Sequence, residues 1–326
     1  MKKLMVIPLV AAGMAAMVGC SKTPVKEAAK NDAINLANLD TAVAPGTDFY
    51  QYACGGWMKN NPLKPEYARF GTFDQLRDNN QEQIRTLIEG LSETPGQEGS
   101  VGQKIGMLFA MGMDSVKLNE DGYAPIKDQL AEINKLGTKD ELTKMVATLH
   151  KEGMAPFFAL YVGADEKNSS MNIVQLYQAG LGMGDRDYYL LEDESSQKMR
   201  EAYKNYITRL FTLIGSSPEQ ADAAVNAIMK IERGIAEVSF SREDLRDSQK
   251  NYNKMSIEGF KAKNDLLNWD VYFESMGMMD IKYLDAKQLS FYEGLSALMK
   301  NTTLDEQKYY LTFNLLSSAA PYLGDP

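Results

Sequence analysis

The period at which apolar residues recur constrains this 326-residue chain most, because it is helical almost throughout and changes to the period of a strand once. Phe73, Leu76, Ile84, Leu87, Ile88 and Leu91 share one face of a 3.6-residue repeat, with Asp74 in the first turn where a carboxylate suits the helix dipole. That helix is expected to stop near Gly90, before a Pro/Gly/Glu loop over 92–100. Val101, Ile105, Leu108 and Phe109 mark a second helix, and Pro125 opens a third with Ile126, Leu130 and Ile133 turned inward. Thr138 and Glu141 form a capping box for a fourth, whose stripe of Leu142, Met145, Val146 and Leu149 ends at Gly153. Over 157–163 and 171–178 the pattern alternates, and the polar run 165–170 between them predicts a β-hairpin. A long helix over about 192–214 follows, with Met199, Tyr203, Tyr206, Leu210 and Leu213 as its stripe. Ser217, Pro218 and Gln220 then cap another. No fixed-period repeat is present. The fold expected is mainly α, a multi-helix domain with a small β-hairpin.

One stretch is not written as an ordinary amphipathic helix. It runs Asp48-Phe49-Tyr50-Gln51-Tyr52-Ala53-Cys54-Gly55-Gly56-Trp57, then Asn60-Asn61-Pro62, and on to Arg69-Phe70-Gly71-Thr72-Phe73-Asp74. The aromatic residues can anchor a short helix, which Pro62 and Pro65 prevent from continuing. Gly55-Gly56 would admit backbone or the Trp57 ring where a Cβ would obstruct. Arg69 has two readings. Its planar fork can grip a carboxylate bidentately in a partly dehydrated cleft, or it forms a salt bridge with a nearby acid and has no ligand role.

Two further segments stand out: Gly180-Leu181-Gly182-Met183-Gly184-Asp185-Arg186-Asp187-Tyr188-Tyr189-Leu190, too rich in glycine for helix, and Arg242 followed by Tyr252-Asn253-Lys254-Met255-Ser256. Together with the first stretch they resemble the neprilysin-like M13 family of zinc metallopeptidases. Its patterns are D-F-Y-x-Y-A-C-G-G-W with R-[YF]-G-x-F-D, then G-L-G-L-x-D-R-D-Y-Y, then an arginine before Y-N-x-M-[ST]. Met183 replaces a leucine. The resemblance covers residue 38 to the end and implies the helical half of a two-domain peptidase. It implies that full-length relatives hydrolyse small peptides with a zinc-bound water and a glutamate base. Arg69 would offer its guanidinium to the C-terminal carboxylate of a peptide substrate, and Asp74 would orient that arginine. Relatives pair the cysteine matching Cys54 with one near the far C-terminus, which this chain lacks, so Cys54 is expected to be a small buried hydrophobe.

The chemistry such an enzyme needs is not encoded here. A helical H-E-x-x-H supplies two imidazoles one turn apart, whereas His150 is the single histidine, at the edge of an apolar stripe where a surface or dipole-facing role is expected. The family's N-A-[YF]-Y, H-E-x-x-H and E-x-x-x-D would lie beyond Pro326. No catalytic residue and no zinc ligand are therefore expected in this chain, and no activity by itself. G-x-S-x-G and phosphate-cradling loops are missing too. Asp185 and Asp187 flanking Arg186 read as an ion-pair cluster that fixes a loop.

At the N-terminus, Lys2 and Lys3 precede an apolar run too short to span a membrane, then Gly19-Cys20, which resembles a bacterial lipobox. The expected organisation is a lipoprotein signal peptide over 1–19, a tether over 20–38 lipidated at Cys20, and the M13-like helical region over 39–326. That places the chain on the bacterial envelope, outside the cytoplasm. Its expected partners are small peptides, a C-terminal catalytic domain and the membrane through its lipid. A formal net charge of −9 with no basic run argues against nucleic acid. The alternative is a non-catalytic surface lipoprotein that binds peptides or another protein.

Overall fold

The computed structural model describes residues 35–63, 67 and 69–324, so the signal segment, Cys20 and Pro65 lie outside the described residues. The chain divides into two compact units, residues 1–87 and 88–326.

In the first unit a 3-10 turn, Leu36–Asn38, precedes α1 (Phe49–Asn60). Asp48 caps α1 by accepting the Gln51 N–H at 2.9 Å. A Cβ on Gly56 would lie 2.4 Å from the Ala37 carbonyl oxygen and 2.7 Å from that of Leu39, so the turn can rest on α1 only over a glycine. Helix α2 (Thr72–Glu93) starts here and continues past Gly90 into the second unit. A lone glycine costs a helix only about 1 kcal/mol, too little to end one already formed. The apolar stripe is present, yet no described residue of α2 is buried, and Phe73 is 88% exposed.

The second unit continues with α3 (Val101–Met113), α4 (Ser115–Asp121), α5 (Lys127–Lys135) and α6 (Lys139–Lys151). On α3, residues that mark the helix are again exposed, Val101 at 73% and Leu108 at 71%. Pro125 is the second residue of a separate 3-10 turn, Ala124–Ile126, and Leu130 and Ile133 are buried on α5. The Thr138–Glu141 capping box is closed, and Leu142, Met145, Val146 and Leu149 are all buried. The hairpin comprises β1 (Phe158–Asp165) and β2 (Asn168–Gln178). Its turn is shorter than expected, because Asp165 pairs with Asn168 after an irregularity at Ala164/Asp165.

Beyond it lie α7 (Asp187–Leu190), α8 (Glu194–Leu213) and α9 (Pro218–Val238), then β3 (Lys254–Ser256), α10 (Ile257–Lys263), α11 (Trp269–Ser275) and β4 (Tyr283–Ala286). Helices α12 (Leu289–Lys300) and α13 (Leu304–Ala319) close the unit. The hairpin is thus half of a four-stranded sheet of order β1-β2-β4-β3, parallel between β2 and β4 and antiparallel elsewhere. On α8 the buried face is Tyr203, Ile207, Leu210 and Phe211, while Met199, Tyr206 and Leu213 stay exposed. The expected stripe was rotated by part of a turn because α9 and α13 cover the neighbouring face. Gln220 closes the expected capping box on α9.

Helices α8, α9 and α13 pack side by side, and α6 lies against α11. Gly234 of α9 faces Leu298, and Gly294 of α12 faces Val238, two notches that bring these helices together. Phe158, Phe260, Trp269, Tyr272 and Tyr292 form a buried aromatic centre with mostly tilted or edge-on rings. Each such side chain contributes roughly 1.5–3 kcal/mol by leaving water. The expected fold class, mainly α with a small β-hairpin, is observed, the hairpin being part of a four-stranded sheet.

Candidate functional site

In the first unit, the aromatic helix and the arginine element form one frame. Trp57 of α1 stacks on Phe70, with centroids 6.0 Å apart and planes at 16°, and Tyr67 also packs on Phe70, tilted, at 5.2 Å. Gln75 Nε2 donates to Asn61 Oδ1 at 3.3 Å, and the Tyr67 hydroxyl donates to Asp78 at 2.8 Å, so both ends of the connection are tied to α2. Arg69, beside Phe70, is exposed. Asp74 accepts the Gly71 N–H at 2.9 Å and pairs with Arg77 at 3.1 Å. These bonds hold the start of α2 that carries the arginine element. Cys54 is a free thiol, partly buried. Phe49 and Tyr50 expose about two-thirds of their surface.

In the second unit, the glycine-rich segment is a latched loop. Its root is clamped at Gln178, whose side chain accepts the Phe240 N–H at 2.7 Å and donates to the Phe240 carbonyl at 3.2 Å. The Tyr310 hydroxyl accepts the Phe157 N–H at 3.1 Å and donates to the Gly180 carbonyl at 2.8 Å. Phe157 takes the left-handed conformation with φ 67°, a strain of about 1–3 kcal/mol that this hydroxyl helps offset. The latch itself is Glu232 of α9, 1% exposed. It accepts the Tyr189 hydroxyl at 2.6 Å and the Tyr203 hydroxyl at 2.9 Å, while the Tyr189 oxygen accepts the Met183 N–H at 2.9 Å. Burial raises the Glu232 carboxyl to about 7, and the two tyrosines and the Gly182 N–H oppose that rise only in part. Burial likewise pushes Tyr189 and Tyr203 well above the usual phenol range. A Cβ on Gly182 would lie 1.8 Å from the Tyr203 hydroxyl, so the loop can cross the latch only as glycine.

The loop lines an open cavity of about 540 Å³ with Gly180, Gly182, Glu232, Asn314 and Ser317 on its walls. Glycine backbone, short amides and hydroxyls suit it to holding a ligand, and its one carboxylate is already engaged by tyrosines. Asp185 does form an ion pair, but with Arg242, so the second and third sequence patterns meet there. Asp187 gives its N–H to Asp185 Oδ1 at 2.9 Å and starts α7. In the third pattern, Tyr252 and Lys254 donate to Asp165 at 2.9 and 2.7 Å, and the Asn253 N–H donates to Asp285 at 2.7 Å. This ties the hairpin's irregular end to β4, and the bond from Lys254 holds the Asp165 carboxyl at about 2.

His150, expected at the surface or facing the helix dipole, lies half-buried in the last turn of α6. Its Nε2 is 3.2 Å from the Pro156 carbonyl and its Nδ1 2.6 Å from the Tyr272 hydroxyl. A carbonyl only accepts, so Nε2 carries the proton and Nδ1 accepts from the tyrosine. Burial lowers its pKa to about 4. The residues present do not suit a zinc ion: both His150 nitrogens are engaged, and among the described residues no group of three or more His, Cys, Asp or Glu could hold a metal. Sequence reasoning missed Glu232. The available signal was an acid on the stripe of Ile228, Ile231 and Ile235, where a charge must have a structural partner.

Comparisons with known proteins agree on the kind of molecule. A family model described as peptidase family M13 matches residues 45–326. Endothelin-converting enzyme 1 of Mus musculus is 29% identical, the match covering 99% of this chain and 44% of that protein. The Homo sapiens enzyme of the same name is 29% identical over 88% of this chain and 38% of its own length. The chain therefore spans less than half the length of these relatives. Among solved structures, the Mycobacterium tuberculosis zinc metalloprotease Zmp1 in complex with an inhibitor has a TM-score of 0.78 at 24% identity, covering 89% of this chain and 44% of that one. PepO from Lactobacillus rhamnosis has 0.69 at 21% identity, covering 87% and 45%. At such identities these two likenesses speak for the fold.

Proposed function

The chain belongs to peptidase family M13, and from that premise we propose that it is the N-terminal part of a zinc metalloendopeptidase that hydrolyses small peptides. It supplies the helical cap and, through Arg69 and Asp74, part of the substrate pocket. Zinc and the catalytic residues belong to the remainder of the enzyme, and this chain turns over no substrate alone. The observation that carries the reading is that Arg69 is exposed beside a phenylalanine in contact with both Trp57 and Tyr67. The ring contacts steady the backbone beside it, and its planar fork can grip a carboxylate bidentately. The exposed apolar faces of α2 and α3 support a further domain that covers them. Lipidation at Cys20 anchors the assembly to the bacterial envelope in this reading.

The test is Arg69→Met in an enzyme that carries both halves. KM for peptides with a free C-terminal carboxylate should rise about tenfold or more with kcat nearly unchanged, while amidated peptides are unaffected. Equal effects on both peptide types would remove Arg69 from the pocket. Chelator-sensitive turnover by the 326-residue chain alone would refute its dependence on a second half.

A further inference from the structure

Strand β1 ends the sheet, with β2 on one side and no strand on the other among the described residues. In an antiparallel pair every second residue turns its N–H and C=O away from the partner, so an end strand presents a row of them. Among the described residues, no backbone hydrogen bond joins 159–163 to anything but β2. Proteins ordinarily blunt such an edge with a short strand, a lysine, a proline or a bulge. The opposite end of the sheet is blunted in this way, since β3 has three residues and begins at Lys254. β1 has eight, and 158–164 carry neither charge nor proline. Its irregularity comes only at Ala164/Asp165, where the strand finishes.

The side chains add a second observation. Leu160 and Val162 lie opposite Leu176 and Val174, which in turn pair with Ala286 and Leu284 of β4, and those four are buried. This is the core face of the sheet, yet Val162 is 57% exposed on it, and Tyr161 on the other face is 45% exposed. An open row of peptide groups at strand spacing fits another extended backbone. β1 is complementary to itself. With Tyr161 on a two-fold axis, Leu160 of each copy faces Val162 of the other on the core side, and the paired segment is the uncharged 158–164, so no charge meets a like charge. A register centred on Val162 instead would bring Asp165 into the pairing.

We infer that β1 is an interface between two copies of this chain, paired antiparallel about a two-fold at Tyr161 so that their sheets run together as one. A single pair of strands is small beside the roughly 1,000 Å² that a stable complex buries, so the dimer is weak and depends on concentration. The inference does not rest on the peptidase reading.

Sedimentation of the full chain, with hydrogen exchange measured at a low and a high concentration, tests it. A dimer should appear as concentration rises, and where it predominates the outward amides over 159–163 should exchange several-fold more slowly. Val162→Lys should keep the chain monomeric and abolish that slowing, while Val162→Ile should retain both. Val162 is on the surface, and thermal melts check that each variant is folded. Leu108→Lys, on the exposed face of α3, should leave the slowing over 159–163 intact. Dimers in which 159–163 exchange at the monomer's rate, or which persist in Val162→Lys and vanish in Leu108→Lys, would overturn the inference. A chain that stays monomeric up to about millimolar concentration would overturn it as well.

Discussion

Replacing Glu232 with glutamine should change the direction in which stability varies with pH. The folded carboxyl titrates at about 7, against an ordinary value of 4.5. Below pH 4.5 both folded and unfolded chains hold the proton, and the fold bears no penalty. As pH rises from 4.5 to 7 the unfolded chain ionises first, and stability falls. Above 7 both are ionised and the full penalty applies, about 3 kcal/mol for a shift of this size. Glutamine has nearly the same shape, never ionises, and can still exchange hydrogen bonds with the Tyr189 and Tyr203 hydroxyls. His150 acts in the opposite sense. Its folded pKa of about 4 lies below the usual 6.5, so its contribution is present above 6.5 and lost as pH falls toward 4. The two slopes nearly cancel in the wild type between about pH 4.5 and 6.5. Urea unfolding followed by Trp269 fluorescence in a Trp57→Phe background reports on the unit that holds both groups. The Glu232→Gln chain should gain stability with rising pH over that window, and its advantage over wild type should grow by about 3 kcal/mol between pH 4.5 and 8. A constant difference between the two chains at every pH would refute the assignment of a proton to the latch.

In the complementary variant, His150→Gln, stability should fall with rising pH over the same window, measured by the same unfolding curves. Gly182→Ala forces the Tyr203 hydroxyl off Glu232, and a loss of about 2–4 kcal/mol is expected in the unfolding midpoint, since a buried charge-assisted bond is broken. Gly56→Ala drives a methyl into the backbone of the Leu36–Asn38 turn, and hydrogen exchange over residues 36–39 should quicken at least about tenfold while the second unit is unaffected.

Much of the helical architecture was readable because its signals are local. The Thr138–Glu141 and Ser217–Gln220 boxes each close within three residues, and the stripe of α6 needs only one turn of neighbours. The glycine pair in α1 was readable as a place of close approach for the same reason, although its occupant proved to be the backbone at 37–39. The short strands β3 and β4 escaped because three or four residues cannot establish a period, and their pairing joins positions about thirty residues apart. Stripes on α2 and α3 showed which face is apolar, yet not whether anything covers it.

What the sequence determined by itself was therefore the helical class, the caps, the place of the hairpin and the family, each resting on residues within a few turns of one another. Only the tertiary structure decided which stripe residues are buried on α8, that both ring nitrogens of His150 have partners, and that an acid on α9 joins tyrosines 43 and 29 residues before it. Burial and a buried carboxylate's partners are set by what packs against a face, and a chain's own local period carries no record of its neighbours.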